Sequence, residues 1–289
     1  MKIGFIGVGV MGTPMVKNLK KAGFEVYIYA RNINKVKQLE NDGVVIIETI
    51  KELASMVDVV ITIVGMPSDV KEVYFDNDKI IANAKKGTVL IDMTTSSPKL
   101  AKEIYIESNK KGLYSLDAPV TGGDIGAKNG TLTIFVGGDY EIYEKCKPIF
   151  EAMGKVISYV GESGNGQHAK LANQIAIAGA ISAMTESITY GLEFGLNVNE
   201  LIKVWGSGSA GSWQMVNMGP RALCGDLAPG FFIKHFIKDM NLAIAELKDK
   251  NINFKMLTQV WDMFEEMSRR GYESFGTQAI INYYKDIVK

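Results

Sequence analysis

Cysteine is scarce in this sequence, because its 289 residues contain only Cys146 and Cys224. The two stand far apart and lack metal-ligand spacing, which argues against both a disulfide framework and a zinc site. We therefore expect a reducing, cytoplasmic setting and no bound metal.

Net charge is also absent, since 32 basic residues balance 32 acidic ones. Such a chain has no overall field to attract nucleic acid or an anionic membrane. The N-terminus passes directly into "KIGFIG", so no export signal is expected. The apolar run "IAIAGAISAM" is bracketed by Asn173 and Glu186, which leaves it short of the roughly 20 residues that cross a bilayer. We expect a small-molecule partner, with neither nucleic acid nor membrane.

The order of hydrophobic patterns predicts two regions. Up to about Gly161, helical patterns alternate with the strand-like runs "KIGFI", "EVYIY", "VDVVITIV", "GTVLIDM", "YSLDAP" and "GTLTIFVGG". This alternation predicts a mainly parallel, doubly wound α/β sheet covered on both faces. From Gly166 it stops, and residues 167–194 and 254–271 have apolar residues at helical spacing. We predict an α/β domain at 1–162 and an all-helical domain at 163–289.

A glycine motif follows the first strand in "IGVGVMGTPM". Gly7, Gly9 and Gly12 form G-x-G-x-x-G between a strand and a helix, the context of a Rossmann-type dinucleotide site. The glycines allow a tight turn, close approach of a pyrophosphate and tight helix packing. The expected pyrophosphate loop comprises Gly7, Val8, Gly9, Val10, Met11 and Gly12.

The end of the second strand, "YIYARN", indicates which dinucleotide is bound. An acid usually accepts hydrogen bonds from the NAD ribose there, but Ala30 occupies the position and Arg31 and Asn32 follow. This removes a repulsion and supplies a guanidinium for a 2′-phosphate, so NADP is favoured, with NAD possible. The alternative is that Arg31 is a solvated surface charge.

Two further stretches combine glycine with polar groups. In "SLDAPVTGGDIGAKNGTLTIFVGG", Thr121, Gly122 and Gly123 leave the backbone bare, either as a surface turn or for close approach of a ligand. In "GNGQHAKLANQ", Lys170, Asn173 and Gln174 share one helix face before a buried run. That lysine could protonate a reacting oxygen or be a structural lysine whose ammonium reaches solvent.

The motifs "GFIGVGVMGTPM", "DMTTSSP", "DAPVTGGDIGAKNGTLTIFVGG", "GNGQHAKLANQ" and "FIKDMNLA" occur in an order and spacing that resemble the β-hydroxyacid dehydrogenase family. The resemblance covers essentially the whole chain. It implies hydride transfer between NAD(P) and a small β-hydroxyacid or semialdehyde, and a homodimer or homotetramer.

The resemblance also implies roles for individual residues. Lys170 matches the catalytic lysine, and Asn173 matches the asparagine that orients the substrate. The predicted substrate-binding residues are Thr121, Gly122, Gly123, Asn173 and Trp213. Beyond the pyrophosphate loop, the predicted cofactor contacts are Arg31, Asn32, Met66, Pro67, Thr95, Phe231 and Lys238.

Departures from the family pattern leave the substrate open. Thr121 replaces the family's serine, and Gln174 stands where many members have a second asparagine. Trp213, in the loop "GSGSAGSWQMVN", is expected to narrow the pocket. Three alternatives remain: a phosphogluconate dehydrogenase, an imine reductase and a non-catalytic NADP-binding module. Phosphogluconate dehydrogenases are much longer than this chain, and imine reductases usually lack the lysine.

Overall fold

The computed structural model describes residues 1–287. The chain divides into two compact units, Met1–Lys170 and Leu171 onward, and the division falls inside one long helix. Each unit has a hydrophobic core of its own.

The first unit is built on a sheet with the strand order β3-β2-β1-β4-β5-β6-β8-β7, with β9 paired to β8. The strands are β1 (Lys2–Ile6), β2 (Glu25–Tyr29), β3 (Val45–Ile46), β4 (Val59–Thr62), β5 (Val89–Asp92), β6 (Tyr114–Asp117), β7 (Val120–Thr121), β8 (Leu132–Gly138) and β9 (Gly154–Tyr159). Strands β1 to β6 pair in parallel, β8 runs antiparallel to β6 and β7, and β9 is parallel to β8.

The central strands form because they are apolar on both faces. All four residues of β4 and of β5 are buried. Alternate side chains enter two different cores, with Ile61 and Ile91 in one and Val60 and Leu90 in the other. The helices that complete this unit are α1 (Gly12–Lys21), α2 (Ile50–Met56), α3 (Pro67–Tyr74), α4 (Ile80–Asn83), α5 (Pro98–Lys110), α6 (Gly123–Asn129) and α7 (Tyr140–Met153).

The second unit is helical, apart from an isolated antiparallel bridge between Phe232 and Gly276. It begins within α8 (Asn165–Glu193) and continues through α9 (Val198–Ser207), α10 (Trp213–Asn217), α11 (Gly219–Cys224), α12 (Ile233–Lys248), α13 (Lys255–Met267) and α14 (Ile281–Ile287). Its core contains the fully buried Phe236 and Phe264, whose rings meet edge to face at 5.0 Å between centroids.

Helix α8 is long and apolar enough to cross a membrane by length and composition alone, with a mean hydropathy of 1.2 in its most apolar window. However, 44% of that window is buried within the protein, and core helices of soluble proteins meet the same criterion.

The predicted α/β class, with a mainly parallel sheet followed by a helical region, is confirmed. Three strands were not predicted: β3, β7 and β9. The segment from Trp213 to Asn217 was expected to be loop but forms α10, whose first turn is capped by the Ser212 hydroxyl accepting from Met215 N.

Candidate active site

The glycine loop after β1 meets the steric demands of a pyrophosphate site. A Cβ on Gly7 would lie 2.0 Å from the carbonyl oxygen of Ile63, and one on Gly12 would lie 2.1 Å from that of Gly7. Packing within the protein therefore requires both glycines. A Cβ on Gly9 would meet nothing within 4 Å, so the bare backbone at Gly9 leaves room for a ligand.

The start of α1 also suits a phosphate. In the described structure the N-cap residue, Met11, makes no side-chain capping bond, and the first turn holds no acidic residue. The partial positive charge of the helix N-terminus is therefore not offset by a local carboxylate. The residues present fit a bound dinucleotide.

Arg31, at the end of β2, lies beside two acids of α3. Its Nη2 is 3.2 Å from Asp69 Oδ1 and 2.8 Å from Glu72 Oε2. Asp69 also accepts a hydrogen bond from the backbone of Met66 through its second oxygen, at 2.9 Å. Met66 and Pro67 form the start of α3, so this contact connects the predicted cofactor residues after β2 and β4.

The ends of β4 and β5 are tied together by a buried polar network. Asp92 Oδ1 accepts from the Thr62 hydroxyl at 2.9 Å and from Thr94 N at 3.1 Å, while Thr94 Oγ1 accepts from Val64 N at 3.0 Å. The Thr62 hydroxyl is also 3.0 Å from that of Tyr74. These bonds fix the loop that carries Thr95.

The beginning of α8 is attached to the same region. Asp117, at the end of β6, accepts from Gly164 N at 2.7 Å through Oδ1 and from Gln167 N at 2.9 Å through Oδ2. The buried side chain of Gln167 accepts from Ser96 N and donates to Thr94 O, both at 2.8 Å. Gln167 thus holds the peptides on either side of Thr95, one helical turn before Lys170 on α8.

Burial raises the pKa of Asp117 to about 6 and is opposed by the backbone N–H groups of Gly164 and Gln167. Burial likewise raises the pKa of Asp92 to about 6, against hydrogen bonds from Thr94 and Thr62, and the neighbouring Asp117 charge raises it further. The two acids are opposite each other in the pairing of β5 with β6. Two interacting carboxyl groups therefore lie side by side at the ends of β5 and β6.

Thr121 ends β7, and Gly122 and Gly123 follow with φ of 126° and 62°. These are left-handed values that side chains rarely adopt, so the backbone there requires glycine. A Cβ on Gly122 would also lie 3.3 Å from Leu132 Cδ2. The two glycines are therefore needed for the conformation of the backbone. Because they have no side chains, they also expose the peptide groups of this stretch.

A second polar cluster lies in the helical unit. Asn173 Nδ2 donates to Gln174 Oε1 at 3.0 Å, and Gln174 Nε2 donates to Asp239 Oδ2 at 2.7 Å. The Asp239 carboxylate is 1% exposed and its Oδ1 is 2.8 Å from Lys238 Nζ. One chain of contacts therefore connects Asn173 to Lys238.

The other predicted residues of this unit lie outside that cluster. Phe231 precedes α12 and stacks edge to face on Phe236, 5.7 Å between centroids. Trp213 begins α10 and is 51% exposed. Lys170, the last residue of the first unit, is 5% exposed. Among residues 1–287, no group of three His, Cys, Asp or Glu side chains could hold a metal ion.

Sequence reasoning missed Asp117, Gln167 and Asp92 as residues that organise the site. The available signal was polarity at strand ends, since Asp92 and Asp117 each close an otherwise apolar strand. Polar residues at the carboxyl ends of parallel strands point to a site. Gln167 gave no comparable signal, because its partners are 71 and 73 residues away.

Two family models match this chain, one in each half. A family model described as the NAD binding domain of 6-phosphogluconate dehydrogenase matches residues 2–161. A second, described as NAD-binding of NADP-dependent 3-hydroxyisobutyrate dehydrogenase, matches residues 164–284.

Relatives match over nearly the whole chain. The chain is 46% identical to the uncharacterized oxidoreductase YkwC of Bacillus subtilis (strain 168), over 96% of each chain. It is 35% identical to 2-hydroxy-3-oxopropionate reductase of Escherichia coli (strain K12), over 97% of this chain and 96% of that one. The solved structure of Mycobacterium tuberculosis 3-hydroxyisobutyrate dehydrogenase with L-serine superposes with a TM-score of 0.88 at 28% identity, over 98% of each chain.

Fold, glycine loop and matches together define an NAD(P)-binding oxidoreductase that acts on CH–OH groups. The chain belongs to the β-hydroxyacid dehydrogenase family, as its motifs predicted. This family fits better than the non-catalytic module and the other two enzymes considered as alternatives.

Proposed function

We propose that this enzyme transfers a hydride between NADP, in preference to NAD, and a small β-hydroxyacid or its semialdehyde, of the 3-hydroxyisobutyrate kind. The observation that carries the proposal is the buried Lys170, which is 5% exposed and lies one turn after Gln167 on α8. Asp117 binds this helix start to the end of β6, and the Gln167 side chain binds it to the peptides on either side of Thr95. Buried lysines are rare, and a buried titratable group on an anchored helix start is a candidate for catalysis.

The cofactor would be held by the loop Gly7 to Gly12, with Met66, Pro67, Thr95, Phe231 and Lys238 as further contacts. Arg31 and Asn32 would bind the 2′-phosphate of NADP, since Ala30 leaves no carboxylate at the ribose position of β2. When bound, the nicotinamide would supply or accept the hydride.

The substrate acid would be bound by the Thr121 hydroxyl and by the backbone N–H groups of Gly122 and Gly123. The compounds named for the relatives, 3-hydroxyisobutyrate, 2-hydroxy-3-oxopropionate and L-serine, share a carboxylate and an oxygen on the third carbon. A site that grips the carboxylate and presents that third carbon to the nicotinamide accounts for all of them. Trp213 would limit the size of the part of the substrate that lies between the carboxylate and the third carbon.

Lys170 would hold the proton for the reacting oxygen. In reduction, its ammonium donates a proton to the forming alkoxide and its charge stabilises that oxygen; in oxidation, the neutral amine accepts the proton. Asn173 would orient the substrate from the next turn of α8, with its amide fixed by Gln174. We also propose a cytoplasmic homodimer or homotetramer.

The test is an absorbance assay of nicotinamide oxidation and reduction with a panel of small semialdehydes, β-hydroxyacids and matched compounds lacking the carboxylate. We expect turnover only with the acids, and tighter binding of NADPH than of NADH in fluorescence titrations. Equal turnover of compounds lacking the carboxylate would contradict the substrate proposal, and equal cofactor affinities would contradict the preference for NADP.

A further inference from the structure

The two acids of α3 that contact Arg31 bear directly on cofactor selectivity. Arg31 Nη2 lies 2.8 Å from Glu72 Oε2 and 3.2 Å from Asp69 Oδ1. Asp69 and Glu72 follow Arg31 by 38 and 41 positions in the chain. The guanidinium that would bind a 2′-phosphate is therefore already engaged by two carboxylates.

The sheet order explains why these groups meet at the nucleotide site. Strand β1, which leads into the glycine loop, has β2 on one side and β4 on the other. Arg31 follows β2, whereas Asp69 and Glu72 lie on α3, which follows β4. The ion pairs thus connect the segment after β2 with the helix after β4, at the edge of the sheet where dinucleotides bind.

The two acids differ in how firmly they are held. Asp69 is fixed on both sides, because its second oxygen accepts from Met66 N at the start of α3, and its side chain is 26% exposed. Glu72 lies one turn further along the helix, and its side chain is 57% exposed. Glu72 can move away from an arriving phosphate, whereas moving Asp69 would disturb the start of α3.

We propose that Asp69 and Glu72 compete with the 2′-phosphate of NADP for Arg31, so that this acidic pair limits how strongly the enzyme selects NADP over NAD. The inference rests on the proposed role of Arg31 in NADP binding. Glu72 acts as the displaceable competitor, and Asp69 keeps Arg31 beside the site.

Charge supports the competition. One arginine and two carboxylates carry a net charge of −1, and a phosphate monoester adds about −1.5 to −2 near pH 7. A carboxylate about 6 Å from such a group weakens its binding up to roughly tenfold in water, and less as salt screens it. The adenosine ribose of NAD carries no such charge, so its binding is affected little.

The experiment measures dissociation constants of NADPH and NADH by fluorescence titration, without substrate, for the wild type, Glu72→Gln, Arg31→Ala and the double variant. We expect Glu72→Gln to tighten NADPH binding about threefold to tenfold, with NADH within twofold, and the gain to shrink with added salt. In the Arg31→Ala background the gain should be smaller, because the competition for the guanidinium is gone. Glu107→Gln, which removes an exposed acid paired with Lys110 on α5, is the matched control and should change neither constant.

The outcomes separate the inference from the function on which it rests. If Arg31→Ala leaves NADPH binding unchanged, the assignment of Arg31 to the phosphate is wrong, and the inference fails with it. If Arg31→Ala weakens NADPH binding but Glu72→Gln leaves it unchanged or weakens it, only the competition is overturned. Equal tightening of NADH and NADPH would also overturn it, as a general effect of charge.

Discussion

A buried lysine is the feature of single residues that most constrains the chemistry. Removing an ammonium from water costs free energy unless nearby groups stabilise it. Lys170 is 5% exposed and lies one turn after Gln167, whose side chain and backbone make three hydrogen bonds at 2.8 to 2.9 Å. A buried titratable group on an anchored helix start is a candidate for a catalytic role.

Lys170→Ala should lower kcat by at least about a hundredfold, because the forming alkoxide loses both its proton donor and a stabilising charge. Cofactor affinity should change little. Lys170→Arg should also fail, since a guanidinium does not release its proton. Steady-state kinetics and cofactor titration measure both effects, with Lys203→Ala, an exposed lysine paired with Glu200, as control. More than a tenth of wild-type kcat in Lys170→Ala would exclude this role.

Thr121 offers a test of how the acid is held. Thr121→Val keeps the shape of the side chain but removes the hydroxyl, so KM for the acid should rise about tenfold to a hundredfold, the range for a hydrogen bond to a charged group. Thr121→Ser restores the hydroxyl and should keep KM near that of the wild type. Equal KM values for the serine and valine variants would place the carboxylate elsewhere.

Single residues also show where sequence reasoning reached its limit. The sequence shows that Ala30 stands where an acid usually binds the ribose of NAD. Arg31 was therefore predicted to bind the 2′-phosphate of NADP. The pairing of Arg31 with Glu72 depends on the spacing of β2 and β4 around β1, which no local pattern records. The roles predicted for Lys170, Asn173 and Thr121 remain predictions that the kinetics above will decide.

At the scale of elements, the important feature is the anchored start of α8. Asp117 accepts from two backbone N–H groups there, at 2.7 and 2.9 Å, which satisfies donors that a helix N-terminus leaves without partners within the helix. This contact between α8 and Asp117 requires glycine at position 166, because a Cβ there would lie 2.3 Å from Asp117 O. The contact also sets the position of Lys170 along the helix axis.

Gln167→Met should therefore affect both stability and activity. It keeps the length of the side chain but leaves the buried Ser96 N and Thr94 O without their partners, which should cost about 1 to 3 kcal/mol in the free energy of unfolding. Because Thr95 and Lys170 lose their common support, kcat should fall more than cofactor affinity.

Chemical denaturation and steady-state kinetics measure these effects. Gln38→Met is the control, since Gln38 is exposed and donates to Lys35 O. If Gln167→Met destabilises the protein while kcat stays at the wild-type value, Gln167 has only a structural role.

Elements were predictable where their own residues determine them. The apolar strands β1, β2, β4, β5 and β6 and the helices α8 and α13 follow from local periodicity. The strands β3 and β7 have two residues each, too few for a pattern. Strand β9 has one buried residue, Gly154, and forms by pairing with β8, so its existence depends on another segment of the chain. Helix α10, predicted as loop, has five residues and depends on the Ser212 cap.

At the scale of the whole molecule, the buried acids connect the candidate site to the stability of the fold. Asp92 and Asp117 have pKa values raised to about 6. A raised pKa means that the folded state binds protons more tightly than the unfolded state. Protonation of these acids therefore favours the folded state. The stabilisation that it gives is fully present below the unfolded pKa of 3.8 and is lost as pH rises through the folded pKa of about 6.

Asp92→Asn should remove the contribution of this group. The amide oxygen can still accept from Thr62 and Thr94, but the side chain no longer carries a charge at any pH. Relative to the wild type, the free energy of unfolding of the variant should rise by about 1 kcal/mol between pH 5 and pH 7, because the proton that Asp92 loses in that window is absent from the variant. Urea denaturation across this range measures the difference, and Asp78→Asn makes the same change of charge at an exposed position. A difference between variant and wild type that stays constant with pH, or that falls, would show that Asp92 does not titrate in the folded protein over this range.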